Sequence, residues 1–410
     1  MPPPMPLRPA ILAALLALPA PAAADGLEVA GPWLTAFDWA TERCETWDIP
    51  DAPARAWRGP DGLVRMVAGS ARSRAEVGPD LDRLRRRCDV LHEGARADDP
   101  ALYDDRSWIA ATHADADGRV VALAHVEHHG HLRPGACAAG TYAACWRNAV
   151  VELSSDDGGR TFRREAGAGD VVAALPYPHD PAQTRRAGYF NPSNIVERDG
   201  FLYAFVFAEA YGAQERGACL LRRPAGGGTA DWRAWDGAGF GVRFADPYRE
   251  AVADPAAHVC APLPGLSSTV SSVAWHAGSG RFLAVTPATR RGPDGVARPG
   301  IWWMASEDLL AWSEPEILVE LPLLWDRDCG APAAYAYPSL LDPDSPSRNF
   351  ETVDDAFRLY LVRMAVGEGC RIGPDRDLVF RDLAFGDLVS GNPAGRPLSR
   401  PRPGPGGTAP

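Results

Sequence analysis

Apolar and polar residues alternate along this chain in one hairpin pattern that returns five times. In each copy a polar segment leads into an apolar strand, a tight turn and a second apolar strand, which occupies 63–67, 120–124, 201–205, 282–285 and 359–362. Three of the turns carry an Asp-Gly pair, the strongest short-range hairpin signal between alternating apolar runs. A unit repeated every several tens of residues indicates an array of sheets. The pattern therefore predicts an all-β fold, a five-bladed β-propeller in a single domain.

The two ends of the chain lack this pattern. Residues 1–24 have a basic start, an apolar stretch and a small-residue cleavage site, which together predict a secretory signal peptide. Residues 391–410 are rich in Pro, Gly and Arg without apolar periodicity, which is typical of a disordered tail. We therefore expect the propeller over 25–390, with 27–37 or 378–380 as the outer strand that closes it, in a periplasmic or secreted protein.

All eight cysteines follow the predicted cleavage site, so in an oxidising compartment they are expected to form four disulfides. In a propeller, the starts of the first strands, the loops between second and third strands and the links between blades share one face. The cysteines fall on that face, and their order along the chain favours the pairs Cys44–Cys88, Cys137–Cys145, Cys219–Cys260 and Cys329–Cys370. The same face carries the long connections, so we expect the functional site there.

Charge and motifs narrow the possible partners. The net charge of −11 argues against nucleic acid or an anionic membrane as a partner. No later stretch approaches the length of a membrane span. The sequence also lacks a phosphate-binding Gly-rich loop and a Gly-x-Ser-x-Gly nucleophile turn, and we expect no cofactor. It gives no indication of an oligomeric state.

Two predicted turns carry sequence motifs that are found in known propellers. Residues 155–162 fit the pattern Ser-x-Asp-x-Gly-x-Thr-Phe, the Asp box of sialidases, in which the acidic side chain caps a tight turn and has a structural role. Residues 306–312 give a looser version, Ser-x-Asp-Leu-x-x-Trp. With these turn motifs and five predicted blades, the chain resembles the carbohydrate-active propellers of glycoside hydrolase families 43 and 32 over roughly 48–385.

The resemblance implies glycosidic bond hydrolysis by a carboxylate base at the start of blade one, a second Asp that tunes the site, and a Glu acid. Asp51 matches the base by position. Asn191, which cannot ionise, stands where these families have Asp before Pro, and 266–269 offers no acid at the start of blade four. The catalytic set of the families is therefore incomplete at its usual positions.

Other carboxylates are candidates to complete the set. Glu127 and Glu209 each lie nine residues beyond the glycine of their hairpin turn, so they hold equivalent positions on the expected pocket face, with Asp51 and Asp105. We expect Asp51 as base or nucleophile, Glu127 or Glu209 as acid, and Asp105 as the group that tunes their pKa values. The alternative is that these carboxylates pair with arginines and only shape the rim.

Sugars stack on aromatic rings and bind polar side chains through their hydroxyls. On this basis the candidates for substrate binding are Arg55, Arg106, Trp108, His125, His129, Asn191, Asn194 and Tyr337. His125, Glu127 and His129 are two apart on one strand and share a face, which also suggests a metal, although no second cluster completes a zinc site.

We therefore expect an exported glycoside hydrolase-like protein that acts on a carbohydrate in an axial pocket. A non-catalytic carbohydrate-binding or surface-interaction propeller is the alternative. A metal-dependent hydrolase is the third interpretation.

Overall fold

The computed structural model describes residues 25–164, 170–292 and 294–387 of the 410-residue chain. The predicted signal peptide, 1–24, and the predicted tail, 391–410, lie outside the described residues. The described part is almost entirely β, with one short α-helix, α1 (Trp39–Glu42), and 3-10 turns at Pro100–Leu102, Gly130–Leu132, Thr229–Asp231, Pro255–His258 and Glu368–Cys370. No helix among the described residues is long and apolar enough to cross a membrane.

The strands follow the predicted hairpins along the chain. The N-terminal third contains β1 (Asp25–Phe37), β2 (Arg55–Arg58), β3 (Val64–Val67), β4 (Arg72–Ser73), β5 (Ala75–Gly78), β6 (Arg85–Arg86), β7 (His92–Glu93), β8 (Arg106–Ala114) and β9 (Val120–His129). The middle contains β10 (Trp146–Ser155), β11 (Arg163–Arg164), β12 (Val171–Ala173), β13 (Ala187–Phe190), β14 (Val196–Arg198), β15 (Phe201–Glu209), β16 (Gly217–Pro224) and β17 (Arg233–Ala234). The remainder contains β18 (Ser272–His276), β19 (Arg281–Arg291), β20 (Ala297–Ser306), β21 (Glu316–Glu320), β22 (Ala333–Leu341), β23 (Thr352–Val353), β24 (Ala356–Gly367) and β25 (Arg371–Asp387).

Antiparallel pairing groups the main strands into five four-stranded units. Unit 1 has the order β2-β3-β5-β6, unit 2 has β8-β9-β10-β11, unit 3 has β13-β15-β16-β17, unit 4 has β18-β19-β20-β21, and unit 5 has β22-β24-β25-β1. Units 2 and 3 are joined into one larger sheet by a short parallel pairing of β10 with β13. The outer strand of unit 5 is the N-terminal β1, as expected for 27–37, and it pairs with β25 from the other end of the chain.

The Asp-Gly turns have the backbone that their sequence predicts. Gly62, Gly118 and Gly200 have φ values of 75°, 86° and 76°. A residue with a Cβ atom rarely adopts this left-handed region, whereas glycine enters it at little cost. Each glycine therefore allows the tight reversal between the strands that flank it.

Each pair of consecutive units has a large buried apolar cluster between its sheets. Trp57 of unit 1 clusters with Val151 of unit 2, and further clusters join units 2 and 3, units 3 and 4, and units 4 and 5. The fifth joins unit 5 back to unit 1, because it contains Tyr360 and Leu378 together with Ala56 and Met66. Apolar burial, the main favourable term in folding, is therefore distributed over five contacts between units.

The side chain of Arg55 on β2 connects unit 1 with the starts of the other units. Its Nε donates to the Ala110 carbonyl at 2.7 Å, Nη2 to the Ser271 carbonyl at 2.7 Å, and Nη1 to Ser339 Oγ at 3.0 Å. A longer contact of 3.5 Å reaches the Pro192 carbonyl in unit 3. Arg55 is only 2% exposed, so it is engaged by the protein interior rather than by a ligand. This placement corrects the expectation that it binds substrate.

All four predicted disulfides are confirmed. Cys44–Cys88, Cys137–Cys145, Cys219–Cys260 and Cys329–Cys370 have Cα–Cα distances of 5.5, 5.6, 6.0 and 5.0 Å. These lie within the range that a disulfide spans without backbone movement. Cys137–Cys145 closes the connection between β9 and β10, and Cys329–Cys370 joins the segment before β22 to the turn before β25.

Candidate active site

A cavity of about 500 Å³ opens above the carbonyls that Arg55 holds. Ala110, whose carbonyl accepts from Arg55, lines it, and so do two carboxylates, Asp51 and Glu127. The predicted site residues that it brings together are Asp51, Arg106, Trp108, His125, Glu127, His129, Asn191 and Tyr337. Further cavities of about 320 and 620 Å³ share lining residues with it, among them Asn191 for the first and Asp51 for the second.

Unit 2 supplies one wall of the cavity through strand alternation. His125, Glu127 and His129 lie two apart on β9, so their side chains project from the same face. In the β8–β9 register Arg106 is opposite Glu127 and Trp108 is opposite His125. Paired residues share a face, and with Ala110 of β8 the two strands therefore supply six residues of the cavity wall.

Glu127 is the buried carboxyl group of the cavity. It is 7% exposed, and its Oε2 lies 2.7 Å from His129 Nε2, while Oε1 lies 3.6 Å from His125 Nε2. Burial raises the pKa of Glu127 to about 7, since it disfavours the charged form; the charge of Asp51 adds to the shift and the nearby His125 opposes it. At neutral pH a large fraction of Glu127 is therefore protonated.

Asp51 faces the same cavity but is held by three donors. Trp108 Nε1 donates to Oδ2 at 3.2 Å, the Tyr337 hydroxyl donates to Oδ1 at 3.3 Å, and Arg376 forms an ion pair with Oδ1. Burial raises the pKa of Asp51, and the Arg376 charge and the hydrogen bonds oppose that shift. Asp51 is thus oriented from three sides, with 21% of its side chain still exposed.

Two residues of the cavity wall have a left-handed backbone. Asn191 has a φ of 43° and Tyr337 a φ of 59°. Asn tolerates this region, whereas an aromatic residue with positive φ is an outlier that costs on the order of 1–3 kcal/mol. Such strain persists where the surroundings impose it, and it concentrates at functional sites.

Burial keeps the two histidines of this wall neutral at pH 7. Burial lowers the pKa of His125, and it lowers the pKa of His129 to about 4. Within 25–164, 170–292 and 294–387, no group of three His, Cys, Asp or Glu residues is arranged to hold a metal ion. The side chains of His125 and His129 therefore form a polar wall beside Glu127.

An aromatic cluster continues the unit 2 wall beyond His129, whose ring stacks on that of Tyr142 with 5.2 Å between centroids. Tyr142 and Trp146 have ring centroids 4.8 Å apart, and Trp325 lies 6.2 Å from Trp146. Tyr142 and Trp325 are 40% and 69% exposed, which is unusual for large aromatic side chains. Tyr142 sits in the loop closed by Cys137–Cys145, so a disulfide holds this aromatic surface over the cavity.

Besides Arg55, three predicted site residues lie outside the cavity wall. Asp105 is on the far side of the unit 2 wall, where it accepts from the His129 backbone N–H at 3.0 Å and pairs with Arg133 at 2.8 Å. Asn194 uses its amide to bond the Val273 backbone, with both contacts at 2.7 Å. These contacts hold the interior together, so neither side chain is available to a ligand.

Glu209 is the third, and it does not line the cavity, although its position in unit 3 is equivalent to that of Glu127. It pairs with Arg216 at 3.1 Å and with Arg186. The predicted alternative, that a carboxylate pairs with arginine at the rim, describes Glu209 and does not describe Glu127.

Sequence reasoning missed several cavity residues. These are Tyr142, Arg186, Arg327, Arg371 and Arg376. Three of them lie within three positions of a paired cysteine, Tyr142 before Cys145, Arg327 before Cys329 and Arg371 after Cys370. Because disulfides hold loops over the site, a position close to one of these cysteines in the sequence could have identified the three residues as candidates for the cavity wall.

No protein-family profile matches the sequence, and no curated protein is similar to it in sequence. The structure is similar to that of the Cellvibrio cellulosa alpha-L-arabinanase complexed with arabinohexaose, at 10% identity over 82% of this chain and 91% of that chain, with a TM-score of 0.46. It is also similar to the endo-1,5-alpha-L-arabinanase from Thermotoga petrophila, at 11% identity over 83% of this chain and 72% of that chain, with a TM-score of 0.47. A GH43_1 enzyme from Xanthomonas citri complexed with xylose is 12% identical over 82% of this chain and 87% of that chain, with a TM-score of 0.43. Glycoside hydrolase family 43, which the turn motifs suggested, is thus represented among the similar solved structures. The similarity is too low to assign an activity to this chain.

Proposed function

We propose that this chain is an exported glycoside hydrolase on a five-bladed β-propeller, with its active site in the cavity shared by Asp51 and Glu127. The propeller is supported by five four-stranded units, by apolar clusters that run from unit 1 around to unit 5 and back, and by Arg55 at the convergence of the inner strands. Export is supported by four disulfides, which persist in oxidising compartments.

The observation that carries the proposal is the pair of carboxyl groups facing one cavity. Glycoside hydrolysis uses one carboxylic acid with a raised pKa and one carboxylate, on either side of the scissile bond. Burial raises the pKa of both groups, to about 7 for Glu127, but at Asp51 the Arg376 ion pair and the Trp108 and Tyr337 hydrogen bonds oppose the rise and favour the ionised form. Different environments thus separate the two carboxyl groups into an acid and a base.

In this assignment Glu127 gives its proton to the glycosidic oxygen as the bond to the anomeric carbon breaks. Asp51 acts on the opposite side, either by attacking the anomeric carbon or by taking a proton from the water that attacks it. In the first case the ionised Glu127 then takes a proton from a water molecule that attacks the anomeric carbon of the Asp51 ester, which frees Asp51 and the sugar and leaves Glu127 protonated again. In the second case that proton stays on Asp51 until it returns to solvent, and Glu127 regains a proton from solvent. His129, 2.7 Å from Glu127, orients the acid.

The walls of the cavity suit a saccharide. Sugar rings present apolar C–H faces that pack on exposed aromatic rings such as Tyr142 and Trp325, and hydroxyls bind polar groups such as Asn191 and His125. Because two further cavities adjoin the central one, sugar units on either side of the scissile bond also have room.

A non-catalytic carbohydrate-binding propeller is the second candidate, and one observation favours it. Asp51 already accepts from Trp108, Tyr337 and Arg376, so its oxygens are occupied in the free protein. Asn191 stands where the resembled families have an ionisable Asp. In this case the cavity would bind sugars without turnover.

One experiment separates the two candidates. The mature chain is incubated with a panel of polysaccharides, release of reducing ends is measured, and binding is measured in parallel on a glycan array. For a hydrolase, Glu127→Gln and Asp51→Asn should each reduce turnover by about 10²–10⁴-fold, the usual effect of losing a general acid or base.

Glu209→Gln is the matched comparison, because it makes the same change at the equivalent strand end of unit 3 without altering a cavity carboxyl group. It should retain turnover. Loss in Glu209→Gln with retention in Glu127→Gln would reverse the assignment of the acid. Binding without release of reducing ends by the unaltered protein would establish the second candidate.

A further inference from the structure

The cavity has the opposite charge to the rest of the chain. The whole sequence has 53 acidic and 42 basic residues and a net charge of −11. Around the cavity, however, two carboxyl groups face five arginines, which are Arg106, Arg186, Arg327, Arg371 and Arg376. The cavity histidines are neutral and do not change this balance. A neutral sugar has no need of such an excess of positive charge.

Two of these arginines are already neutralised by partners. Arg376 pairs with Asp51, and Arg186 pairs with Glu209. Among the residues that the structure describes, Arg106, Arg327 and Arg371 have no carboxylate within 4.0 Å. Three guanidinium charges in the cavity wall therefore have no ion-pair partner within the described part of the chain.

Arg106 is the nearest of these three arginines to the proposed acid. It is opposite Glu127 in the register of β8 and β9, and its positive charge works against the rise of the Glu127 pKa. Its Nε is buried and has no hydrogen-bond partner among the described residues. A buried donor without an acceptor destabilises the protein, and a bound anion would remove that cost.

Arg327 and Arg371 form the other part of the positive wall, and the protein holds them in place. Arg327 donates from Nε to the Cys370 carbonyl at 3.1 Å and from Nη1 to the Leu324 carbonyl at 2.8 Å. Arg371 follows Cys370 directly, so the Cys329–Cys370 disulfide fixes the segments that carry both arginines. Cross-linked loops lose less freedom when a ligand binds.

We propose that the saccharide bound in this cavity is anionic, with carboxylate or sulfate groups that pair with Arg106 on one side and with Arg327 and Arg371 on the other. The proposal rests on the proposed carbohydrate function and specifies its substrate class. Planar guanidinium groups match carboxylate and sulfate oxygens through two parallel hydrogen bonds. Positive charge in a concave site also attracts anions from a distance.

The test measures binding by calorimetry with the mature Glu127→Gln chain, so that turnover does not consume the probes. The carboxylate probes are the trimers of galacturonate, mannuronate and glucuronate, each compared with its carboxyl-reduced neutral form. A sulfated carrageenan disaccharide and its desulfated form test the sulfate source. At least one anionic probe should bind ten times or more tightly than its neutral form, and this preference should shrink as salt is raised.

Arginine variants connect the preference with the cavity. Arg371→Gln is the first, because Arg371 is exposed and its loss does not threaten the fold. It should weaken the anionic probe about 10–100-fold, the usual effect of one charge-assisted contact, and leave the neutral form unchanged. Arg298→Gln is the matched control, because Arg298 pairs with Asp294 and Glu320 and lies outside the cavity.

The outcomes separate this proposal from the proposed function. If every anionic probe binds no more tightly than its neutral form, or none binds, the anionic substrate is overturned. Turnover of neutral polysaccharides that depends on Asp51 and Glu127 would still establish the hydrolase in that case. Tight anionic binding without turnover of any probe by the unaltered protein would support the anionic ligand and overturn the hydrolase.

Discussion

Replacement of Arg55 by Met tests whether one buried guanidinium joins the inner strands of the units. Met has a similar length and no donor, so Arg55→Met keeps much of the packing and removes the hydrogen bonds to Ala110, Ser271 and Ser339. The carbonyls of Ala110 and Ser271 would lose the Arg55 donor, and Ser339 would keep only its hydrogen bond to the Ala54 carbonyl in this region.

The expected loss of stability follows from these contacts. Three hydrogen bonds of 2.7–3.0 Å from a charged donor contribute about 1.5–3 kcal/mol each, or roughly 5–9 kcal/mol together. Against this, the variant no longer buries a charge without a carboxylate partner, which relieves several kcal/mol. We expect Arg55→Met to lower the free energy of unfolding by about 2–4 kcal/mol.

Guanidinium chloride unfolding of the mature chain with its disulfides intact, followed by tryptophan fluorescence, measures this loss as a lower midpoint. Arg298→Met is the control. It removes an arginine whose pairs with Asp294 and Glu320 are at the surface, so it should leave the midpoint nearly unchanged. A midpoint for Arg55→Met equal to or above that of the unaltered protein would refute the reasoning.

Three further predictions concern other parts of the molecule. The pKa of Glu127 in the folded protein, about 7, lies above its unfolded value, so the free energy of unfolding should fall by about 3 kcal/mol as pH rises from about 4.5 through 7. Melting curves over this pH range should show that Glu127→Gln removes the loss. Asp157 caps its turn with a pKa lowered to about 2, so Asp157→Ala should cost about 1 kcal/mol above pH 4 and progressively less as pH falls towards 2, without affecting sugar binding. Cys329–Cys370 and Cys219–Cys260 each join residues 41 apart, so replacing either disulfide by a pair of serines should lower stability by about 4 kcal/mol. Calorimetry should show weaker saccharide binding only for the replacement of Cys329–Cys370.

The hairpins and the disulfides could be predicted because their signals are local or depend on order along the chain. Asp-Gly pairs fix turns through the φ of Gly62, Gly118 and Gly200, and alternation fixes which side chains share a face. The cysteine pairs follow from the order of the elements on one face. The closing strand 27–37 was one of two candidates, since an outer strand has a weak pattern of its own.

The catalytic assignments were harder, because equivalent positions have different surroundings. Glu127 and Glu209 occupy the same place in neighbouring units, but Glu209 has Arg186 and Arg216 beside it and Glu127 has two neutral histidines. Nothing in the spacing distinguishes them. Arg55 was misassigned for a similar reason, since its acceptors are backbone carbonyls from distant parts of the chain, which have no sequence signal.

The site also weakens the fold that carries it. A glutamate with a raised pKa, a tyrosine with positive φ and a buried arginine donor without a partner each cost free energy in the unliganded protein. All three lie in the cavity wall, which is bordered by the Cys137–Cys145 and Cys329–Cys370 disulfides and, below, by the contacts of Arg55. A bound anionic sugar would satisfy the arginine. Ligand binding should therefore stabilise this protein more than the contact area alone suggests, because it removes a cost that the free protein bears.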